Sequence, residues 1–466
     1  MRILSLSAAY QELPFRTPLV FATGEVRTHT LATVQARVEL GCRRAVGWGS
    51  ILLGTTWAWP GDLPHETRDA AMRGVLEALC ARLQGAQGHP LDLWWEWKGE
   101  LKTLSRVGNS HSLSQQGEGE GRLPGPASSS PPSPCPLPQG EGASAAVPPL
   151  ASLVATSPVD AALHDAYGRL HGVDSYTACG PEFLGHDLSS WLGKEFRGRY
   201  VTDYLRSAYA PTLPAVHLVG GADRLRSTEI SDADPRDDLP VSLEQWIARD
   251  GLWAFKVKLK GTDPDWDLAR LLAVVAAIEG AGVADYALSV DTNEMCPAPE
   301  AMVELLGRFR AACPRGYERL RYLEQPTARD LAADRHDLRK LAALKPVLAD
   351  EGVTGLESLA LALDLGWSGL ALKTCKGHSA ALLYVALLEV AGRPYSVQDL
   401  TNPGLALVHS AGLAARTRPL LGVEYNARQY LPTACPEIQD RQPDLFTVSR
   451  GTIRTGALSR LGLGYL

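Results

Sequence analysis

Six charged residues fall at the ends of short apolar, β-prone runs in the second half of the chain: Lys256, Lys258, Asp291, Glu324, Asp350 and Lys373. Gln398 and Asp399 end another such run. Singly, each has an ordinary reading, because an Asp after a strand is usually a turn or capping residue and a Lys there is usually solvated. Their spacing carries more. Asp291 follows Lys258 by 33 residues and Glu324 follows Asp291 by another 33, with Asp350 26 further on and Lys373 23 beyond that. Three carboxylates brought together repel one another unless a hard divalent cation neutralises them, and oxygen-seeking, octahedral Mg²⁺ suits such a set. Lysines flanking that ion could move protons.

Residues so far apart meet only if regular elements return them to one place. From about Leu213 the runs are AVHLVG (215–220), AFKVKLK (254–260), ALSVD (287–291), RYLE (321–324), PVLAD (346–350), GLALK (369–373), PYSVQD (394–399) and GVEY (422–425). Helical segments such as Asp265 to Glu279, Pro299 to Ala312 and Ala380 to Val390 lie between them. Strand and helix in alternation is the βαβ pattern. Eight runs predict a (β/α)₈-type TIM barrel over residues 213–425, with an open doubly wound sheet as the alternative. In a barrel the strand ends converge at the C-terminal mouth. With AVHLVG as the first strand, Lys258 lies on the second and Lys373 on the sixth, on opposite sides of the ring. The three carboxylates lie on strands three, four and five.

The first hundred residues read as strands followed by helices. Phe15 to Phe21, Thr30 to Leu40 and Arg44 to Leu53 are β-prone, the first two joined by a turn at Ala22–Glu25, and Glu66 to Leu83 carries a helical apolar stripe. Residues 107–148 are Gly, Ser, Pro and Gln with little to bury, and such a stretch does not offset its ordering entropy, so it is expected to be disordered. Helical pattern resumes at Pro158 to Leu170, with Thr156 or Ser157 as its expected cap, so the insert interrupts a domain instead of dividing two.

Composition narrows the classes further. With 466 residues, 45% apolar and 21% charged, the chain is of globular type and long enough for two or three domains. A formal net charge of −6 offers no basic footprint for nucleic acid or an anionic membrane. The eight cysteines include no C-x-x-C pair or zinc-spaced cluster and read as reduced thiols. The opening MRILSLSAAYQELPF lacks a signal-peptide pattern and no long uncharged apolar run follows, so the expected compartment is the cytoplasm, with no membrane span.

Five short motifs stand in order on these strand ends: Lys256-Val257-Lys258, Asp291-Thr292-Asn293, Glu324-Gln325-Pro326, Ala349-Asp350-Glu351, and Leu372-Lys373 followed by Lys376-Gly377. Together they resemble the mandelate racemase/muconate lactonizing enzyme division of the enolase superfamily, in its two-lysine lineages. Residues 15–49, from Pro14-Phe15-Arg16 through Gly47-Trp48-Gly49, resemble that family's capping strands, and Pro158 to Gly172 its capping helix. The chain departs from the pattern where Ser50, not Glu, follows Gly49, and in strand seven, Ser396 to Pro403.

The resemblance implies an N-terminal α+β capping domain over the barrel. Its first part is 1–106 and its helices 149–185, with 426–466 returning to it. It implies one Mg²⁺ per active site on Asp291, Glu324 and Asp350. It also implies removal of the proton next to the carboxylate of a small substrate, through an enediolate. Lys258 is then the base on one face and Lys373 the acid or base on the other. Lys256 shares a face with Lys258 and either lowers its pKa or pairs with a carboxylate such as Asp291. Asn293, Glu351, Lys376, Gln398 and Asp399 are candidate substrate-binding residues; Glu351 could instead back Asp350, and Lys376 could orient a carboxylate. Distal contacts are expected from the Phe21–Gly24 loop and from Trp57 or Trp59, with Arg16 and Arg27 near. Racemisation, epimerisation or cycloisomerisation leads. A dehydratase or dehydrating synthase, with His378 or Asp399 as further acid, is the alternative. A non-catalytic descendant and a Schiff-base aldolase rank lower. Homo-oligomerisation stays open.

Overall fold

The computed structural model describes residues 1–21, 24–105, 146–458 and 460–465. The expectation of disorder at 107–148 therefore lies outside the described residues as far as residue 145, and so do Ala22 and Thr23 of the expected first turn.

Strands β1 (Arg2–Phe21), β2 (Gly24–Leu40) and β3 (Arg43–Leu52) form an antiparallel sheet in that order. β1 starts at Arg2, well before the expected Phe15, because its first half pairs with β2 from Arg2↔Glu39 to Pro14↔Thr28. Polar residues such as Gln11 and Glu12 give no propensity signal for that pairing. The sheet packs on a helix spanning Pro149–His171. The approach is close enough to demand glycine: a Cβ on Gly49 would lie 2.0 Å from the Pro158 carbonyl oxygen, and one on Gly47 2.2 Å from the Ala166 amide nitrogen.

This helix corrects the expected cap. It starts at Pro149, so Thr156 and Ser157 lie inside it and bond backwards, Thr156 Oγ1 to the Ser152 carbonyl (2.8 Å) and Ser157 Oγ to the Val154 carbonyl (2.9 Å). The second bond explains how Pro158 is tolerated mid-helix. Proline has no N–H for the carbonyl four residues back, and the Ser157 O–H donates to that carbonyl instead.

Eight strands form the second unit: β4 (Thr212–Val219), β5 (Ala254–Lys258), β6 (Ala287–Asp291), β7 (Leu320–Glu324), β8 (Val347–Ala349), β9 (Gly369–Lys373), β10 (Tyr395–Gln398) and β11 (Val423–Glu424). Each is parallel to the next, and β11 pairs back onto β4 through Val423↔Ala215 and Glu424↔Val216. The barrel is closed, which excludes the open sheet. A further strand, β12 (Thr452–Arg454), pairs antiparallel with the start of β4.

Alternation along the strands sorts the interior into layers. Val216, Ala254, Ala287, Tyr322 and Leu348 pack as an apolar floor. The same-facing positions above it are polar: Lys256 and Lys258 above Ala254, Ser289 and Asp291 above Ala287, Glu324 above Tyr322, and Asp350 above Leu348. The chain end returns to the capping helix, where Leu463 N donates to Asp165 Oδ1 and Arg169 Nη2 to the Tyr465 carbonyl, both at 2.8 Å. Among the described residues no helix is long and apolar enough to cross a membrane.

Candidate active site

β5 is buried throughout and turns Lys256 and Lys258 to one side. In the ladder Lys258 is level with Asp291, and Asp291 with Glu324. Just beyond these strands the chain enters left-handed backbone at non-glycine residues: Asn293 (φ 45), Glu294 (φ 65) and Gln325 (φ 31). Such conformations persist only where neighbours impose them. Here Glu294 N donates to the Gln325 carbonyl (2.7 Å), while Gln325 Oε1 accepts from Asp350 N (2.7 Å) and Gly352 N (3.2 Å). The ends of β6, β7 and β8 are laced together.

All three expected metal ligands and all three lysines come together, buried, at the barrel mouth. Lys256 Nζ lies 2.8 Å from Glu324 Oε2, 3.0 Å from Asp291 Oδ2 and 3.4 Å from Glu424 Oε2. Lys258 Nζ donates to Asp291 Oδ2 (2.6 Å) and Asn293 Oδ1 (2.9 Å). Lys373 Nζ donates to Asp350 Oδ2 at 2.5 Å and lies 3.8 Å from Glu324 Oε1. Of the two readings of Lys256, the geometry shows the pairing with carboxylates.

These contacts set the electrostatics. Burial would lower the Lys256 pKa, but Glu324, Glu424 and Asp291 outweigh it and raise the pKa well above the ordinary value. Lys373 is raised in the same way, burial being outweighed by Asp350 and Glu324. Burial acts to raise Asp291, yet Lys258 and Lys256 hold it well below the usual carboxylate range. Glu324 is pushed up to about 8 by burial and by Asp291 beside it.

The remaining candidates divide. Asn293 Nδ2 and Trp57 Nε1 both donate to Glu351 Oε1, at 3.2 and 2.7 Å. Lys376 Nζ reaches the Asp350 carbonyl (2.5 Å) and Asp350 Oδ1 (3.0 Å), so it is placed to orient that carboxylate. Gln398 Nε2 donates to Glu324 Oε2 at 2.5 Å. Asp399 lines the mouth and accepts from Asn402 N (2.8 Å). His378 is elsewhere, its ring 4.7 Å from that of His164 and 5.3 Å from that of Tyr176, in the contact between barrel and capping helix. Arg16 and Arg27 pair with Asp237 and Glu25. Trp59 is core, while Trp57 lines the mouth. Glu424, which was not among the expected site residues, ends β11 as Asp291, Glu324 and Lys373 end their strands.

The donor chemistry fits a hard divalent cation. Asp291, Glu324, Asp350, Glu351, Asp399 and Glu424 are buried here against four ammonium groups, those of Lys256, Lys258, Lys373 and Lys376. That leaves an excess of two acidic groups, the charge a divalent cation balances. The raised pKa values of Glu324, Glu351 and Asp399 express the same excess on top of burial. The carboxylates gather around the lysine ammonium groups. Among the described residues, no three side chains stand ready-spaced as metal ligands.

A closed (β/α)₈ barrel lies under an antiparallel cap, with lysines and carboxylates crowding its C-terminal mouth, the end at which barrel enzymes carry their active sites. Residues 238–465 match the family model described as enolase C-terminal domain-like. Through its barrel the chain is thus similar to the C-terminal domain of the enolase family that this model describes. Among solved structures it is similar to the L-Ala-D/L-Glu epimerase from Bacillus subtilis (19% identity, TM-score 0.61, covering 100% of this chain and 99% of that one). It is also similar to a dipeptide epimerase from Enterococcus faecalis V583 complexed with Mg and L-Leu-L-Tyr (16%, 0.61, 100% and 99%). A muconate lactonizing enzyme from Pseudomonas fluorescens, complexed with muconolactone, matches comparably (16%, 0.61, 100% and 96%). At these identities the likeness is one of fold. No curated protein matches the chain in sequence.

Proposed function

We propose that the protein is an isomerase that removes the proton next to the carboxylate of a small substrate and returns one, giving racemisation, epimerisation or cycloisomerisation. The observation that carries this is the placement of Lys258 and Lys373 on the second and sixth strands of a closed ring, with Asp291, Glu324 and Asp350 on the three strands between. Bound by those carboxylates, Mg²⁺ would supply the positive charge that makes a proton beside a carboxylate acidic enough for an amine to take.

The chain's own residues do the rest. Lys258 takes the proton on one face of the substrate carbon. Lys373, kept protonated beside Asp350, donates on the other face of the planar enediolate, and the reverse reaction exchanges the roles. Lys376 and Gln325 hold Asp350 in place from its far side. Trp57, Leu19 and Leu400 wall the mouth and keep water from it. Elimination, the second reading, needs a further acid near a leaving group. His378 is turned away from the mouth, which leaves Asp399 as the candidate for that acid.

The test is a panel of dipeptides, N-acyl amino acids and acid sugars, incubated with Mg²⁺ in D₂O. Deuterium at the α-carbon of both enantiomers is expected from one class. A keto product without such exchange would establish a lyase instead.

A further inference from the structure

We propose that Trp57, a residue of the cap, is a positioning residue that places both lysines of the barrel mouth; the inference rests on the reading above. Its indole ring covers the Lys373 ammonium, with Nζ 4.5 Å from the ring centroid, and lies 5.8 Å from Lys376 Nζ. Ammonium groups are attracted to the face of an indole, most strongly where water is excluded, and Trp57, Lys373 and Lys376 are all buried. The same indole donates from Nε1 to Glu351 Oε1 (2.7 Å), which also accepts from Asn293 Nδ2 (3.2 Å), while Asn293 Oδ1 accepts from Lys258 Nζ (2.9 Å). One side chain thus touches one lysine directly and reaches the other through two polar groups.

The segment carrying Trp57 is anchored on the barrel at points other than the indole. Leu52 N donates to Asn402 Oδ1 (3.0 Å), and Arg329 Nη2 donates to the Trp57 carbonyl (3.1 Å). Arg329 is itself held by Glu294, next to Asn293. A Cβ on Gly54 would meet Leu400 Cδ2 at 3.0 Å, so this stretch lies tight against the loop after β10. These anchors do not depend on the ring. Changing the indole therefore alters how the lysines are held without undocking the cap.

Trp57→Phe keeps an aromatic face and loses the N–H; Trp57→Leu fills much of the space with neither. Each full-length variant is treated with formaldehyde and cyanoborohydride, and methylation of Lys373 is mapped by mass spectrometry against half-exposed Lys260. Lys373 is expected to react about 10-fold faster in Trp57→Leu and within about twofold of wild type in Trp57→Phe, with Lys260 unchanged. With any enantiomer pair that exchanges in D₂O, Trp57→Leu should lower kcat for exchange on the Lys373 face with KM little changed. Trp57→Phe should slow the Lys258 face instead. Equal Lys373 labelling in all three proteins would overturn the inference, as would parallel acceleration of Lys260, which marks general loosening. Absence of exchange by the wild type across the panel would count against the isomerase reading alone, because the labelling pattern is read without substrate.

Discussion

The two lysines divide a symmetric task. If each serves one face of a planar carbon, replacing either blocks inversion while sparing part of the exchange at the other face. Lys258→Ala is expected to abolish deuterium exchange from one enantiomer and Lys373→Ala from its mirror image, each with a loss of roughly 10²–10⁴ in rate. The measurement is exchange of each pure enantiomer, followed separately by NMR. A variant that racemises at the wild-type rate would refute the opposed arrangement. At this scale the sequence was highly legible, since Lys256, Lys258, Asp291, Glu324, Asp350 and Lys373 all meet at the mouth. Their partners were not legible. Nothing local to Lys256 says that it sits between Asp291, Glu324 and Glu424, because those residues come from strands three, four and eight.

At the scale of elements, backbone contact holds the cap's sheet to its helix, and one buried carboxylate joins that helix to the barrel. Gly49→Ala places a methyl 2.0 Å from the Pro158 carbonyl oxygen, where only backbone movement makes room. It is expected to cost about 3 kcal/mol or more in urea unfolding, whereas Gly280→Ala, with nothing near its Cβ, serves as control. Asp160 reaches from the capping helix to Ser379, accepting from its amide and hydroxyl, each at 2.7 Å. Burial lifts its pKa from 3.8 to about 7, against those bonds, which lower it. The folded carboxyl thus holds its proton more tightly than the unfolded one. Its contribution is fully present below about pH 4 and is lost as pH rises to about 7. Asp160→Asn does not titrate. Wild-type stability measured against it should therefore fall by on the order of 4 kcal/mol over that window. A difference that stays flat with pH would show that the carboxyl keeps its ordinary pKa.

For the whole molecule, an excess of buried acidic groups makes cation binding and stability one quantity. An ion that binds the folded mouth and not the unfolded chain raises stability by about 2.7 kcal/mol at a hundred times its Kd. Saturating Mg²⁺ is accordingly expected to raise the melting temperature by a few degrees, with reversal by a chelator. Glu324→Gln should weaken the response. An unchanged melting temperature in wild type would remove Mg²⁺ from the account.

The sequence by itself determined the order of strands and helices, the count of eight barrel strands, and which polar residues end each strand, while the β11–β4 pairing decided that the sheet closes. Those features are written in short-range signals, the period of two along a strand and the helical stripe between strands, which survive without knowledge of the partner. Strand ends were read to within a few residues, with ALSVD and GLALK matching β6 and β9. Tertiary structure decided the rest. It extended β1 back to Arg2 by pairing, started the capping helix at Pro149, turned His378 toward His164 and away from the mouth, and brought Trp57 over Lys373. Each of these depends on contacts between residues far apart in the chain, formed when the barrel closes and the cap docks. Propensity at a single position does not encode them, because the free energy that settles them belongs to the partner as much as to the residue.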